Sequence, residues 1–311
     1  MKVLVTGGAG FIGGHICERL VQEGHDVICL DNFDPYYDPD LKRRNINNLL
    51  NDKEFRLVEG DIRDQQLVRE LMAQDVEYVF HYAAQAGVRA SIENPLKTHE
   101  FNTTGTLNIL QACLNSGVRQ IINASSSSVY GKVEYLPFDE NHPNIPVSPY
   151  GVTKLMAEYY SRVFSEIYGL NVFSFRLFTV YGPRMRPDLA ISVFTEQALR
   201  NGTIEIFGDG ARTRDFTYID DVVEANILAM KKTGSGVYNI GSGNRISIGE
   251  LAGKITEITG SKSKVVHGHL QKGDAEHTWA NIGRARKDLE WEPRINLEQG
   301  LKIFRDWKSN N

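Results

Sequence analysis

Short β-branched runs alternate with amphipathic stretches over the first 180 residues, and the first run passes through a cluster of glycines straight into a helical pattern. Together these observations predict an α/β protein built on a doubly wound parallel sheet, with helices on both faces. The 311-residue length leaves room for a second, smaller lobe.

The strands fall at 2–6, 26–31, 55–60, 78–81, 120–124 and 171–176, and the intervening helices at 11–23, 64–73, 95–116 and 149–168. In the last helix Leu155, Tyr159, Val163 and Ile167 recur at a helical period. Right-handed crossovers between such units give an open sheet. After Arg176 the rhythm loosens, and Gly, Pro and Arg crowd together from Tyr181 and again from Gly208. Helical patterns return at 220–232, 248–259 and 297–308, and a run at 237–240 could add a further strand. The expected organisation is a cofactor-binding part over 1–176 with later pieces near 215–240, interleaved with a substrate-binding part over 177–311.

Composition narrows the function. With 35 Lys+Arg against 39 Asp+Glu, the chain lacks the basic excess of a nucleic-acid binder. No apolar run approaches the ~18–20 residues of a membrane span, and the start has no signal-peptide core. Cys17, Cys29 and Cys113 show no metal spacing, nor do the histidines, so no metal site is expected. Buried thiols in a reducing compartment, the cytoplasm, are the expectation.

The glycines read Gly7-Gly-Ala-Gly10-Phe-Ile-Gly13. Between a strand and a helix they allow a tight turn, so that a pyrophosphate can rest on backbone N–H groups of Gly7, Gly10, Phe11, Ile12 and Gly13. Asp31 ends the second strand, where a carboxylate accepts hydrogen bonds from a ribose 2′-hydroxyl and repels a 2′-phosphate. No Arg or Lys follows before Lys42, which favours NAD over NADP. Asn32 belongs to the same cofactor edge, and Asp61 and Ile62, after the third strand, are expected near the adenine.

Tyr150 and Lys154 lie one turn apart on one helix, so both can face one site. A phenol is a poor base at neutral pH, and a neighbouring ammonium favours its ionised form. Ser125-Ser-Ser-Ser128 follows the fifth strand, at the end of the sheet where ligands bind, and can offer a hydroxyl to a reacting oxygen.

With these features together the sequence resembles the extended short-chain dehydrogenase/reductase family, and the likeness covers essentially the whole chain. Other matching segments are His81-Tyr-Ala-Ala-Gln-Ala-Gly-Val-Arg89, Asn102-Thr-Thr-Gly-Thr-Leu-Asn and Ser148-Pro-Tyr-Gly. The resemblance implies a Rossmann-type fold, tightly bound NAD, a homodimer and nucleotide-sugar 4-epimerase chemistry. It makes Ser126 and Tyr150 the catalytic pair, sets Lys154 on the nicotinamide ribose, and lines the cofactor groove with Ala83 and Ala84. Family members that eliminate water or CO2 carry an acidic residue just before Val-Tyr-Gly, whereas here Ser127 and Ser128 stand there.

The segments beginning at Phe33, Phe178 and Arg214 look like those of UDP-glucuronate 4-epimerases. A uronate carboxylate needs charge-assisted donors, for which Arg184 and the hydroxyls of Thr179 and Ser127 are candidates. Arg89 is a further substrate-side candidate. Arg214 is expected at the pyrophosphate, and Asp274 at the uridine ribose. An epimerase for UDP-glucose/UDP-galactose, or their N-acetyl forms, remains the alternative.

Overall fold

The computed structural model describes residues 1–114, 116–269, 273 and 275–310. The first half runs β1 (Lys2–Thr6), α1 (Phe11–Gln22), β2 (Asp26–Asp31), α2 (Pro39–Ile46), β3 (Phe55–Glu59), α3 (Gln65–Met72) and β4 (Tyr78–His81). It continues with α4 (Val88–Glu93), α5 (Pro95–His99), α6 (Gly105–Cys113), β5 (Gln120–Ser126), α7 (Pro149–Tyr168) and β6 (Val172–Leu177). Next come β7 (Thr179–Tyr181), α8 (Ala190–Leu199), β8 (Ile204–Phe207), β9 (Thr213–Arg214), β10 (Phe216–Tyr218), α9 (Ile219–Met230) and β11 (Gly236–Ile240). The chain closes with β12 (Ile246–Ser247), α10 (Ile248–Thr259), β13 (Val265–Gly268), α11 (Gly283–Asp288) and α12 (Leu297–Ser309).

Seven strands form one parallel sheet in the order β11-β6-β5-β4-β1-β2-β3. Alternate residues of each strand feed opposite faces. Val3, Val5, Val27 and Cys29 pack with Ile16 and Leu20, whereas Leu4, Ile28 and Leu30 pack with Val68, Leu71 and Ile109. Both faces are therefore dry, which is why these strands read as nearly continuous apolar runs. Strand order reverses between β1 and β4, so a crevice opens beyond their carboxyl ends. Outside this sheet, β10 pairs with β7, β12 with β9, and β13 with β8.

Local chemistry sets the helix ends that matter for the site. Ser148 caps α7 by accepting from Gly151 N at 3.2 Å, Pro149 opens it, and Gly169 closes it in the left-handed region. The stretch read as one helix over 95–116 is continuously helical from Pro95 to Cys113. A wide turn at Glu100–Thr104 joins α5 to α6, and within it the Asn102 side chain reaches inward to Gln85 and Thr153. The polar helix α2 escaped the periodicity, since its inward-facing residues are Lys42, Asn45 and Ile46. On α7, Leu155 is buried but Tyr159, Val163 and Ile167 face outward. Among the described residues no helix is long and apolar enough to cross a membrane, and no His/Cys/Asp/Glu cluster could hold a metal. Cys17, Cys29 and Cys113 are free and buried.

Candidate active site

A cleft of about 990 Å³ crosses the carboxyl ends of the central strands and continues under β7, α8 and β8. At one end lies the turn after β1. Gly7 takes a φ of +68°, and a Cβ there would sit 2.6 Å from Ala83 N, so no side chain fits. Gly10 N donates to Gly7 O at 3.0 Å and shapes the turn. Gly10 also occupies the cap position of α1, where no side chain caps the first turn and no acid stands in it. Phe11, Ile12 and Gly13 line the cleft there. The uncapped N–H groups and the positive end of the helix fit the pyrophosphate of a dinucleotide.

Asp31 ends β2 on the same wall, accepting from Ala9 N at 3.1 Å and Phe33 N at 2.9 Å. Helix α2 brings Lys42 back to within 3.7 Å of it, a juxtaposition that the separation in sequence concealed. The lysine's charge is matched by Asp31 and by the ring of Tyr37, 5.2 Å away. Asn32, Ile62, Ala83 and Ala84 line the cleft. Asp61 is not among the lining residues. It stands behind Asn32, whose Nδ2 donates to it at 2.9 Å, and takes Arg63 Nε at 3.0 Å.

Mid-cleft, β5 and α7 place Ser126, Tyr150 and Lys154 together. Ser128 N donates to Ser126 Oγ at 3.1 Å, which leaves the serine O–H to donate to the Tyr150 oxygen. Burial pushes the Tyr150 phenol up, while Ser126 and the charge of Arg186 pull it down. Lys154 Nζ donates to Ala124 O at 2.7 Å and lies 5.9 Å from the Tyr150 ring centroid. Burial lowers Lys154 to about 8, against the opposing pull of Glu158 one turn later on α7. Glu158 is itself fully engaged, accepting from Arg176 Nη2 at 2.8 Å and from Ser125 Oγ.

Beneath the site His81 is locked neutral. Thr106 spends its proton on Asn102 O, so it accepts from His81 Nε2–H at 2.9 Å, and Thr6 donates to Nδ1 at 2.7 Å. Burial, then the nearby Lys154 charge, drives this histidine down to about 3.

Ser127, Thr179, Arg89 and Arg214 also line the cleft. Arg89 lies over the Phe207 ring at 4.8 Å, and Arg214 Nη1 donates to Thr213 O at 2.8 Å. Asp274 lies outside the described residues.

Arg184 must be reassigned. It adopts a left-handed φ of 64° and turns away from the cleft, onto the back of α1. Its Nη2 meets Glu18 Oε2 at 2.5 Å and His15 Nδ1 at 2.8 Å, and its Nη1 donates to Asn45 O at 2.9 Å. These partners absorb its charge, so it ties the β7–α8 loop to the cofactor half of the protein. Two residues on, Arg186 lines the cleft instead, close enough to Tyr150 to pull on its proton. Sequence spacing could not choose between two arginines separated by one residue in an irregular loop. Tyr36, Tyr37 and Lys42, also in the cleft wall, carry no periodic signal and emerge only from the fold.

The chain matches the family model described as GDP-mannose 4,6 dehydratase over residues 4–304. It is 40% identical over 311 residues to a UDP-glucuronate 4-epimerase of Thermodesulfobacterium geofontis, covering 99% of this chain and 96% of that protein. A crystal structure of the UDP-glucuronic acid 4-epimerase from Bacillus cereus, in complex with UDP-glucuronic acid and NAD, superposes with a TM-score of 0.95. It shares 35% identity and covers 100% of this chain and 99% of its own. The UDP-glucose 4-epimerase of Thermotoga maritima with UDP-glucose gives a TM-score of 0.93 at 36% identity, with coverage of 100% and 99%.

Proposed function

This chain belongs to the GDP-mannose 4,6 dehydratase family of extended short-chain dehydrogenases/reductases, and from that premise we propose that it is an NAD-dependent epimerase acting at C4 of UDP-glucuronate. The product is UDP-galacturonate, and the reaction has no net redox change. The family's name notwithstanding, elimination lacks its expected acid here, because Ser127 and Ser128 occupy the positions before Val129. The observation that carries the reading is the Ser126–Tyr150–Lys154 set in a cleft that also holds a cofactor cradle at one end.

Tyr150, as phenolate, takes the proton of the sugar 4-hydroxyl. Once Tyr150 has gained that proton, Ser126 turns its single O–H from the tyrosine to the same sugar oxygen as it becomes a carbonyl. Lys154 holds positive charge beside the phenolate, fixed by Ala124 O, and is placed to reach the nicotinamide ribose. When bound, NAD supplies an acceptor for the C4 hydride and a donor for its return to the other face of the sugar. Gly7, Gly10 and the first turn of α1 hold the pyrophosphate and Asp31 the ribose, so the enzyme keeps its cofactor between turnovers.

A 4-keto uronate is a β-keto acid and loses CO2 readily, so its carboxylate must be held out of the geometry that favours loss. Arg186 takes this role in place of Arg184, with the hydroxyls of Ser127 and Thr179 as neutral donors. Arg214 is assigned to the pyrophosphate of the UDP group, and Arg89 to the substrate side of the cleft. The membership of β11 in the central sheet supports dividing the chain into a cofactor part, 1–176 with pieces near 215–240, and an interleaved substrate part. The outward stripe of Tyr159, Val163 and Ile167 on α7 suits a homodimer, and the three free thiols suit the cytoplasm.

The test is to incubate purified protein with UDP-glucuronate, adding no cofactor, and follow the anomeric signals by proton NMR. UDP-galacturonate appears if the reading holds. Conversion of UDP-glucose to UDP-galactose without any change in the uronate overturns the substrate assignment but not the chemistry; similarity to the Thermotoga enzyme makes this the second reading.

A further inference from the structure

Arg186 does not stand alone in the cleft. Its Nε meets Asp188 Oδ1 at 3.0 Å and its Nη2 meets Asp188 Oδ2 at 3.2 Å, a side-on bidentate pair. Its guanidinium also lies over the Tyr36 ring at 5.3 Å. Tyr36 Oη in turn donates to Asp188 Oδ2 at 3.2 Å, closing a triangle of three side chains. The arginine side chain is 16% exposed and the aspartate 43%, so the cation sits inward and the anion at the rim. Side-on pairing uses the Nε edge of a planar fork and leaves the Nη1 end directed elsewhere.

The third member of the triangle arrives from the cofactor side. Tyr36 is carried by the loop that follows Asp31, whose carboxylate holds Phe33 N at 2.9 Å. The loop is braced again where Tyr36 N donates to Asp34 at 3.0 Å and Lys97 Nζ pairs with Asp34 at 2.8 Å. Gly87, at a φ of +106°, makes room for the tyrosine, since a Cβ there would lie 2.5 Å from Tyr36 Oη. Three loops thus converge to fix one hydroxyl against one carboxylate.

We propose that Asp188 and Tyr36 are positioning residues for the substrate's carboxylate: they clamp Arg186 by its Nε edge and present its Nη1 end to the uronate. The inference rests on the proposed substrate and deepens it. Discrimination between a uronate and a neutral sugar is then built partly from the loop that binds the cofactor ribose. An unclamped arginine still carries its charge but spends rotamer entropy to reach the carboxylate, whereas a neutral sugar has no use for it.

Calorimetric Kd values for UDP-glucuronate and UDP-glucose on the NAD-loaded wild type, Asp188→Asn and Tyr36→Phe test this, with retained NAD measured for each. A partly exposed pair of this kind supports a weakening of about three- to fivefold for the uronate in Asp188→Asn, and about twofold in Tyr36→Phe. The ring and its cation contact survive in Tyr36→Phe, so that variant isolates the hydroxyl. UDP-glucose binding and NAD content are expected to stay level. Equal weakening of both sugars, or an unchanged or tighter uronate in both variants, overturns the proposal. A wild type with no preference for the uronate overturns instead the substrate reading beneath it.

Discussion

Ser126→Ala puts the activation of Tyr150 to a quantitative test. Burial raises the phenol, and of the two groups that oppose it Ser126 acts by direct hydrogen bond. Its proton is free for that purpose because Ser128 N already donates to the serine oxygen. A hydrogen bond to a charged group contributes about 1.5–3 kcal/mol, and one pKa unit corresponds to about 1.4 kcal/mol. Removing the hydroxyl therefore lifts the Tyr150 pKa by about one to two units. On the acid side of the profile the phenolate fraction, and with it the epimerisation rate, falls about 10- to 100-fold. The loss shrinks as pH approaches the new pKa, leaving only what Ser126 contributes at the sugar oxygen. Initial rates for UDP-glucuronate from pH 6 to 10, on protein with matched NAD content, give both profiles. Acid-limb rates within about twofold of the wild type's, or a plateau that both proteins reach at the same pH, would refute the claim that Ser126 tunes the base.

Three further outcomes follow from the geometry. Gly13→Ala places a Cβ well inside contact distance of Gly7 O, so purified protein should lose most of its NAD, read from absorbance and from restored activity on adding NAD; full retention contradicts the cradle. Glu158→Gln leaves Arg176, 3% exposed, without its countercharge, and should cost about 3–5 kcal/mol in thermal unfolding; an unchanged Tm speaks against this pair as a buried anchor. Stability should also fall in mild acid. His15 and His81 are depressed to about 4 and about 3, so the unfolded chain binds more protons below about pH 6.5 and stability drops as pH falls from there. Asp215, raised to about 6 by burial, acts in the opposite sense and is favoured by protonation. Taken together, these three groups predict about 2–3 kcal/mol less stability at pH 5 than at pH 7.5 by urea unfolding. Equal stability at the two pH values contradicts two neutral buried histidines.

The sheet was legible because its signal is local. A strand buried on both faces needs consecutive apolar residues, and 2–6, 26–31 and 78–81 coincide with β1, β2 and β4. The cradle was legible for a similar reason: Gly7 to Gly13 is one contiguous turn whose backbone needs are written in consecutive residues. Tyr150 and Lys154 share a helix face, so their spacing alone put them side by side. The substrate end was different. Its strands are as short as two residues, too short for a period of two to register, and its side chains come from separate loops. There the sequence put Arg184 forward as the carboxylate's donor, with Arg186 two residues on. Only the packing of β7 against β10, with the left-handed turn at Arg184, sent one to Glu18 and His15 and the other into the cleft. The same holds for Lys42 reaching Asp31 and Tyr36 reaching Asp188, contacts across a groove between segments that no local propensity brings together. Sequence alone determined the sheet, the cofactor turn and the catalytic helix, because short-range backbone and burial demands suffice for them. Which charges meet the sugar was decided by tertiary structure, because a charge's role depends on the partner that neutralises it, and that partner is chosen by the fold.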